Sequence, residues 1–509
     1  MERRRQGNCY QHAFGAIQRH VRYLSSSAQL LLLIISDRFR WVFCQLDRLR
    51  RCFPPSIRRI LNELPATLDE TYERILQEIP KDKKEHSYRL FQCLVAAIRP
   101  LHVEELAELF AIEIHQAVAP NVMEGWRPEN PEEAILSACS TLITIIDGAQ
   151  GSKIVQFSHF SVKEFLTSDR LRISEVGSIC YYHISLDAAH TILARACLTV
   201  LLQLDEGIDK ERLAGFPLAF YAAQYWFVHA KHESVSWQVQ DAMRRLFEPG
   251  NSYLAAWIWI HDVDDDWKKQ TIDMVADRPL RLEATALYYA VSCGLCGLAE
   301  YLISTQGEDV NAKCRGFGSP LHVASWRGHL DAVSLLIDHG ADANMPNKSG
   351  CMPICRAYRA QHLGIMQLLL ERGASIDMWC PSSAVPLHHF ASREGRADVI
   401  RLLLQYNAEV NATDDANYTP LHHASIFGHT VVAQILLENG ADINAVSNYG
   451  TPLYLASSKG LFETARILLD RGADVSICGP SGQTPFQVAT DRGHTEITKL
   501  LLEHGANEE

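Results

Sequence analysis

Three imidazoles fall within eleven residues in TPLHHASIFGH (419–429), as His422, His423 and His429. Histidine titrates near neutrality and ligates metals, so such a cluster could do acid–base or metal chemistry. Other stretches invite similar readings. Cys293-Gly-Leu-Cys296 has the spacing of a redox pair but no second pair for zinc. Cys351 and Cys355 are at best a loose pair. HAKHE (229–233) offers His229, His232 and Glu233 in an order that inverts H-E-x-x-H. Ser158-His159 joins a hydroxyl to a base without the glycine elbow of a nucleophilic serine.

Recurrence decides between chemistry and architecture. Related stretches begin SPLHVASWRGH (319), MPICRAYRAQH (352), VPLHHFASREG (385), TPLYLASSKG (451) and TPFQVATDRGH (484). Their prolines, Pro320, Pro353, Pro386, Pro420, Pro452 and Pro485, are 33, 33, 34, 32 and 33 residues apart. A degenerate copy, TALYYAVSCGL (285–295), precedes them. Each copy continues into a second apolar helix and a glycine stop, as in VVAQILLENGADIN (431–444). Thr or Ser caps the first helix, Pro occupies its first turn, and Gly ends it. No such pair buries its apolar face alone, so neighbours must stack.

T-P-L-H, then G-H, then LL…GAD-x-N at this period resembles the ankyrin repeat family, over about residues 283–507. The resemblance implies that His322, His388 and His422 hold the fourth motif position, where the imidazole bonds local turn groups. Tyr288, Cys355, Tyr454 and Gln487 fill that position in other copies, a drift that a catalytic or metal role would not tolerate. Residues 377–384 lack the usual tip, Val385 replaces the capping Thr, copy four inserts a residue near Ser392, and Asn417 takes a Gly slot. The joint around copy four is therefore expected to be the loosest.

Positions the repeat does not need are available to a partner. On the first helices these are Trp326, Arg327, Arg359, Arg393, Ile426, Phe427, Lys459 and Arg492. At the tips they are Arg315, Phe317, Trp379, Tyr418 and Tyr449. Aromatics and Arg suit interface hot spots, so the expected partner is a protein on the concave face.

Upstream, LNELPATLDETYERIL (61–76) is apolar at helical spacing. A helix over 86–98, a turn and helix over 99–112, a helix into a strand over 131–147 and a strand into a helix over 153–168 make a winged-helix pattern with a two-stranded wing. FRWVFCQLD (39–47), LPATLDETYERIL (64–76) and VQFSHFSVKEFL (155–166) resemble the C-terminal half of the signalling NTPase module of fungal NACHT proteins, with a winged helix of the GPI-inositol-deacylase-like type. Residues 180–275 read as a helical bridge. The organisation expected is mainly α: a basic segment 1–38, a helical remnant 39–84, a winged helix 85–175, a helical linker 176–280 and an ankyrin solenoid of about seven repeats over 281–509.

Charge and composition narrow the function. Residues 85–170 hold 6 Lys/Arg against 12 Asp/Glu, and the would-be recognition helix carries Glu132 and Glu133 with no basic residue. Phosphate contact needs the opposite sign, so no nucleic-acid partner is expected. The 14 cysteines are scattered, as reduced thiols are, and LLLLII (30–35) is too short to span a bilayer. The family resemblance implies an ATP-binding core before FRWVFCQLD, yet G-x-x-x-x-G-K-[ST] occurs nowhere and only 38 residues precede that word. This points to a member truncated before its NTPase core. The expected function is non-enzymatic protein binding, without cofactor or metal, in cytoplasmic STAND/NLR-like signalling and with contact to a separate NTPase domain. The alternatives are a signalling ATPase with a cryptic nucleotide site and mitochondrial targeting by the Arg- and Ser-rich start.

Overall fold

The computed structural model describes residues 67–112, 128–148, 151–173, 179–205, 207–250, 252–263, 282, 284–314, 318–376, 379–380 and 385–507. The basic segment 1–38, the word FRWVFCQLD, Arg315 and Phe317 lie outside the described residues. The chain divides into two compact units, Met1–Leu280 and Arg281–Glu509.

In the first unit Thr67 caps α1 (Leu68–Gln77) by accepting from the Glu70 N–H at 3.2 Å. Then come α2 (Lys84–Ala96), β1 (Leu101–His102), α3 (Val103–Ala111), α4 (Pro131–Cys139), β2 (Ile143–Asp147), β3 (Lys153–Phe157) and α5 (Phe160–Leu166). Three helices and the β2–β3 wing are present as the pattern predicts. The expected turn before α3 is instead the short strand β1, which pairs Leu101 with Val155 and His102 with Ile154, so the wing becomes a sheet of order β1-β3-β2. Two residues are too few for a period-2 signal; the strand forms because Leu101 buries there.

Helices α6 (Leu186–Leu201), α7 (Ala219–Ala230), α8 (Gln240–Leu246) and α9 (Tyr253–Ile260) follow. Apolar residues on every side of α6 let it pack against both α2 and α7. Trp226, Phe247 and Trp257 close the core with ring centroids 5.3–6.2 Å apart. Buried Glu108 of α3 accepts the Leu218 N–H at 2.6 Å, supplying a charge-assisted partner to the start of α7.

The second unit is seven consecutive helix pairs: α10 (Ala286–Ser292) and α11 (Cys296–Ser304), α12 (Pro320–Arg327) and α13 (Leu330–Asp338), α14 (Pro353–Arg359) and α15 (Leu363–Glu371), α16 (Leu387–Glu394) and α17 (Ala397–Gln405), α18 (Pro420–Phe427) and α19 (Thr430–Glu438), α20 (Pro452–Lys459) and α21 (Phe462–Asp470), and α22 (Pro485–Asp491) and α23 (Thr495–Glu503). First helices stack on first helices and second on second, in two layers. Before α16 the tip is a small hairpin, β4 (Trp379–Cys380) against β5 (Val385–Pro386). Asn417 adopts φ 57°, as its Gly slot requires.

Two side chains stitch the first repeat to the second, the second to the third and the fourth to the fifth. The asparagine ending one repeat bonds the following one: Asn311 donates to the Gly340 carbonyl at 3.1 Å and accepts the Asp342 N–H at 2.9 Å. Asn344 and Asn411 do the same one and three repeats on. The G-H histidine reaches back instead. His329, His362 and His429 donate Nε2–H to the carbonyls of Ser292, Trp326 and Arg393 at 3.1, 3.2 and 2.9 Å. That reach requires glycine beneath the ring. A Cβ on Gly395, itself at φ 75°, would stand 2.5 Å from His429 Nδ1, whereas one on Gly340, at φ 87°, meets nothing within 4 Å. We expect Gly340→Ala to cost about 1 kcal/mol, the left-handed penalty alone. Gly395→Ala should cost about 2–3 kcal/mol, because it also displaces a hydrogen-bonded ring. Urea denaturation of the two variants measures the difference, and equal costs would contradict this reading of the G-H pair.

Candidate binding surface

The histidines resolve into structural pairs. His322 and His422 are buried and each makes the same three bonds. His322 Nδ1 accepts from the Ser319 N–H at 3.1 Å and hydroxyl at 2.9 Å, and its Nε2–H donates across to the Cys351 carbonyl at 2.9 Å. His422 repeats this with Thr419 at 3.0 and 2.8 Å and the Gly450 carbonyl at 3.2 Å. Burial pushes both imidazoles down to about 4, so they are neutral at pH 7.

In repeat four this slot belongs to His389, not His388. His389 Nε2–H reaches the Ala412 and Tyr418 carbonyls at 2.9 and 3.1 Å. It stands six residues before Gly395, as His322 stands before Gly328 and His422 before Gly428. The inserted residue therefore precedes α16 rather than lying near Ser392. One step of register moves Pro386 from the first turn to the N-cap. Proline has neither N–H nor hydroxyl, so the acceptor that Ser319 or Thr419 satisfies elsewhere is left bare, and His389 Nδ1 has no hydrogen-bond partner. The same step puts His388 into the core slot of Leu321 and Leu421. It is 3% exposed there, with neither ring nitrogen bonded. Burial pushes it down to about 3, and His389 to about 4.

The remaining candidate chemistries also become local structure. Ser158 donates to the Thr141 carbonyl at 3.0 Å, and His159 caps α5 by accepting the Ser161 N–H. His229 Nε2 lies 3.0 Å from the Tyr221 hydroxyl and its Nδ1 2.8 Å from His190 Nδ1. Cys293 ends α10 and Cys296 begins α11. Among the described residues no group of three His, Cys, Asp or Glu is placed to hold a metal, and no helix is long and apolar enough to cross a membrane.

Of the outward-facing positions, Trp326 is 37%, Phe427 50% and Tyr449 55% exposed. Arg356, which sequence reasoning passed over, lies 5.9 Å from the Trp326 ring centroid, and Arg393 5.8 Å from that of Phe427. The signal was available: Arg356 follows the fourth motif position, as Val323 and His423 do. Arg359, Arg393 and Lys459 are exposed and Arg327 is half-buried. Tyr418 stacks on Tyr449 at 5.5 Å and 13°. Tyr418 and Ile426 also pack against Tyr454, Leu455 and Val488, so both contribute to the core. Arg492 donates to the Ser458 carbonyl at 2.8 Å and ties the last two repeats together. Trp379 lies on β4, with its side chain outside the described set.

With this geometry in hand, known families match both units. The description "Ankyrin repeats" fits residues 287–379, 381–447 and 444–509, and "GPI inositol-deacylase, winged helix domain" fits residues 72–177. The chain carries ankyrin repeats and a winged-helix domain of that type. It is 31% identical over 297 residues to the Azaphilone pigments biosynthesis cluster protein L of Monascus ruber, a match covering 55% of this chain and 61% of that one. It is 40% identical over 175 residues to the Palmitoyltransferase ZDHHC17 of Homo sapiens, over 33% of this chain and 27% of the relative. The chain thus spans less than two thirds of either relative. Among solved structures, the human ASB11 ankyrin repeat domain is 25% identical with a TM-score of 0.38, covering 44% of this chain and all of that one.

The histidine geometry fixes a pH dependence. His322, His388, His389 and His422 bind protons in the unfolded chain near pH 6.5 but not in the folded one. Their contribution to stability is complete above about 6.5 and is lost as the pH falls toward 4 and 3. We expect His388→Leu, which restores the core slot, to stabilise the protein by about 1–2 kcal/mol at pH 7. It should also flatten the acid limb of a melting-temperature-versus-pH curve. A destabilised His388→Leu protein would show that the imidazole has a partner after all.

Proposed function

We propose that the ankyrin array is a non-enzymatic protein-binding module whose concave face, formed by first helices and hairpin tips, holds a protein partner. Ankyrin repeats are interaction scaffolds, which supports the coarser part of this reading. The observation that carries the rest is the exposure of Trp326, Phe427 and Tyr449 where the repeat fold makes no demand for an aromatic. A helix pair closes as well with Ser at the place of Trp326, as Ser458 does in repeat six. Large rings kept in water, two of them beside arginines, are what an interface core uses.

The winged-helix unit serves to couple capture to a separate NTPase domain, in STAND/NLR-like fungal signalling of non-self recognition or cell death, in the cytoplasm. The Monascus relative supports the fungal setting. α4 carries Glu132 and Glu133, with Lys153 of the wing paired to Glu132, and this charge balance favours packing over phosphate contact.

The test is affinity capture from native cell extract with the full chain, wild type against Trp326→Ala/Phe427→Ala/Tyr449→Ala. Recovery of the partner should fall about tenfold or more while the melting temperature is unchanged. Undiminished recovery would remove this face from the account.

A further inference from the structure

Charge in the repeat unit is sorted between its two helix layers. The seven first helices carry five basic residues, Arg327, Arg356, Arg359, Arg393 and Lys459, against two acids, Glu394 and Asp491. The seven second helices carry three basic residues against ten acids. The chain as a whole has a net charge of −12, so the first layer runs against its average.

Helix electrostatics do not account for the sorting. The negative end of a helix dipole favours bases in the last turn, which would suit Arg327, Arg359 and Lys459. Second helices obey the same physics yet carry an acid at the last helical position, Asp338, Glu371, Glu438, Asp470 and Glu503, with Arg372 and Arg471 at the C-caps of two of them. Packing does not require it at Arg393 and Lys459, which are exposed. Of the two acids in the first layer, Glu394 accepts the Tyr358 hydroxyl at 2.5 Å. The positive layer also contains the exposed rings of Trp326 and Phe427, each with a guanidinium at its face.

We infer that the partner of this face is an acidic protein segment with aromatic or aliphatic side chains set among its carboxylates; this rests on the protein-binding reading above. Arg359, Arg393 and Lys459 take the carboxylates, and the apolar side chains rest on Trp326 and Phe427. A guanidinium lying against a ring still offers N–H groups at its edge, and carboxylates match that fork. The charges set orientation and encounter rate, while the rings supply most of the affinity. Both components are needed, which separates this ligand from a nucleic acid, held chiefly through its phosphates.

Fluorescence anisotropy with the full chain tests the inference using four probes: a short Glu/Asp peptide interspersed with Leu and Phe, the same peptide with Lys for each acid, the acidic peptide with Ser for each apolar residue, and a single-stranded DNA of equal charge. The first probe should bind about tenfold or more tighter than the others. Arg359→Glu/Arg393→Glu should reverse the preference between acidic and Lys peptides. Arg359→Gln/Arg393→Gln, which removes charge without reversing it, should abolish the preference and serves if the reversal disturbs folding. Equal binding of the acidic and Lys peptides, DNA binding as tight as the first probe, or a preference that survives charge removal would each overturn the acidic assignment. Capture of the native partner separates the two readings. If it is lost with the aromatic-to-Ala variant but kept with Arg359→Gln/Arg393→Gln, protein binding stands and the acidic class falls. If both variants capture normally, the face itself is wrong.

Discussion

A buried neutral imidazole donating Nε2–H to a carbonyl of the next repeat is the interaction that joins the repeats carrying histidine in the fourth slot. His322 to Cys351 and His422 to Gly450 are its complete forms. A helix pair of this size cannot close a core of its own, and the carbonyls of its connecting turns would be buried without donors once a neighbour stacked on them. The imidazole meets both needs: its ring fills space between helices, and its two nitrogens satisfy the cap on one side and a turn on the other. The asparagine and G-H histidine bonds repeat that logic at the edges of the layers. Because the architecture is held by these inward and lateral contacts, the repeat does not demand the exposed rings of Trp326 and Phe427, and they are open to a functional explanation.

Repeat four shows what happens when one residue is added. The shift before α16 replaces a donor-bearing cap with Pro386 and a core leucine with His388, leaving three imidazole nitrogens without bonds. His389 keeps the cross-repeat bond of this slot and makes it to two carbonyls at once. Along the second layer Arg372 pairs with Asp338 and Arg471 with Glu438, exposed contacts that each add little.

Much of this was legible in the letters. The period, the caps and the glycine stops fixed helix positions nearly to the residue, since each rests on a local rule: Thr419 before Pro420, Gly428 after Phe427. The slot of His388 was misread because a proline at the expected spacing outweighed the count back from Gly395, proline being the residue expected in the first turn of a helix rather than at its N-cap. The strand at Leu101 escaped because its partner lies more than fifty residues away. On the surface, residue type pointed to Trp326, Phe427 and Tyr449. It could not separate Ile426 and Tyr418, which face the core cluster as well as solvent, because burial there is set by Tyr454 in the next repeat.

The central claim is that the first-helix layer is the working face of the array and the second-helix layer its support. A photo-crosslinking residue placed at Phe427 on α18, and separately at the exposed Gln367 on α15 and Gln434 on α19, interrogates both layers in intact cells. The account predicts a discrete adduct to another protein from position 427 and none from 367 or 434. Adducts from the second-helix positions with none from 427 would contradict it.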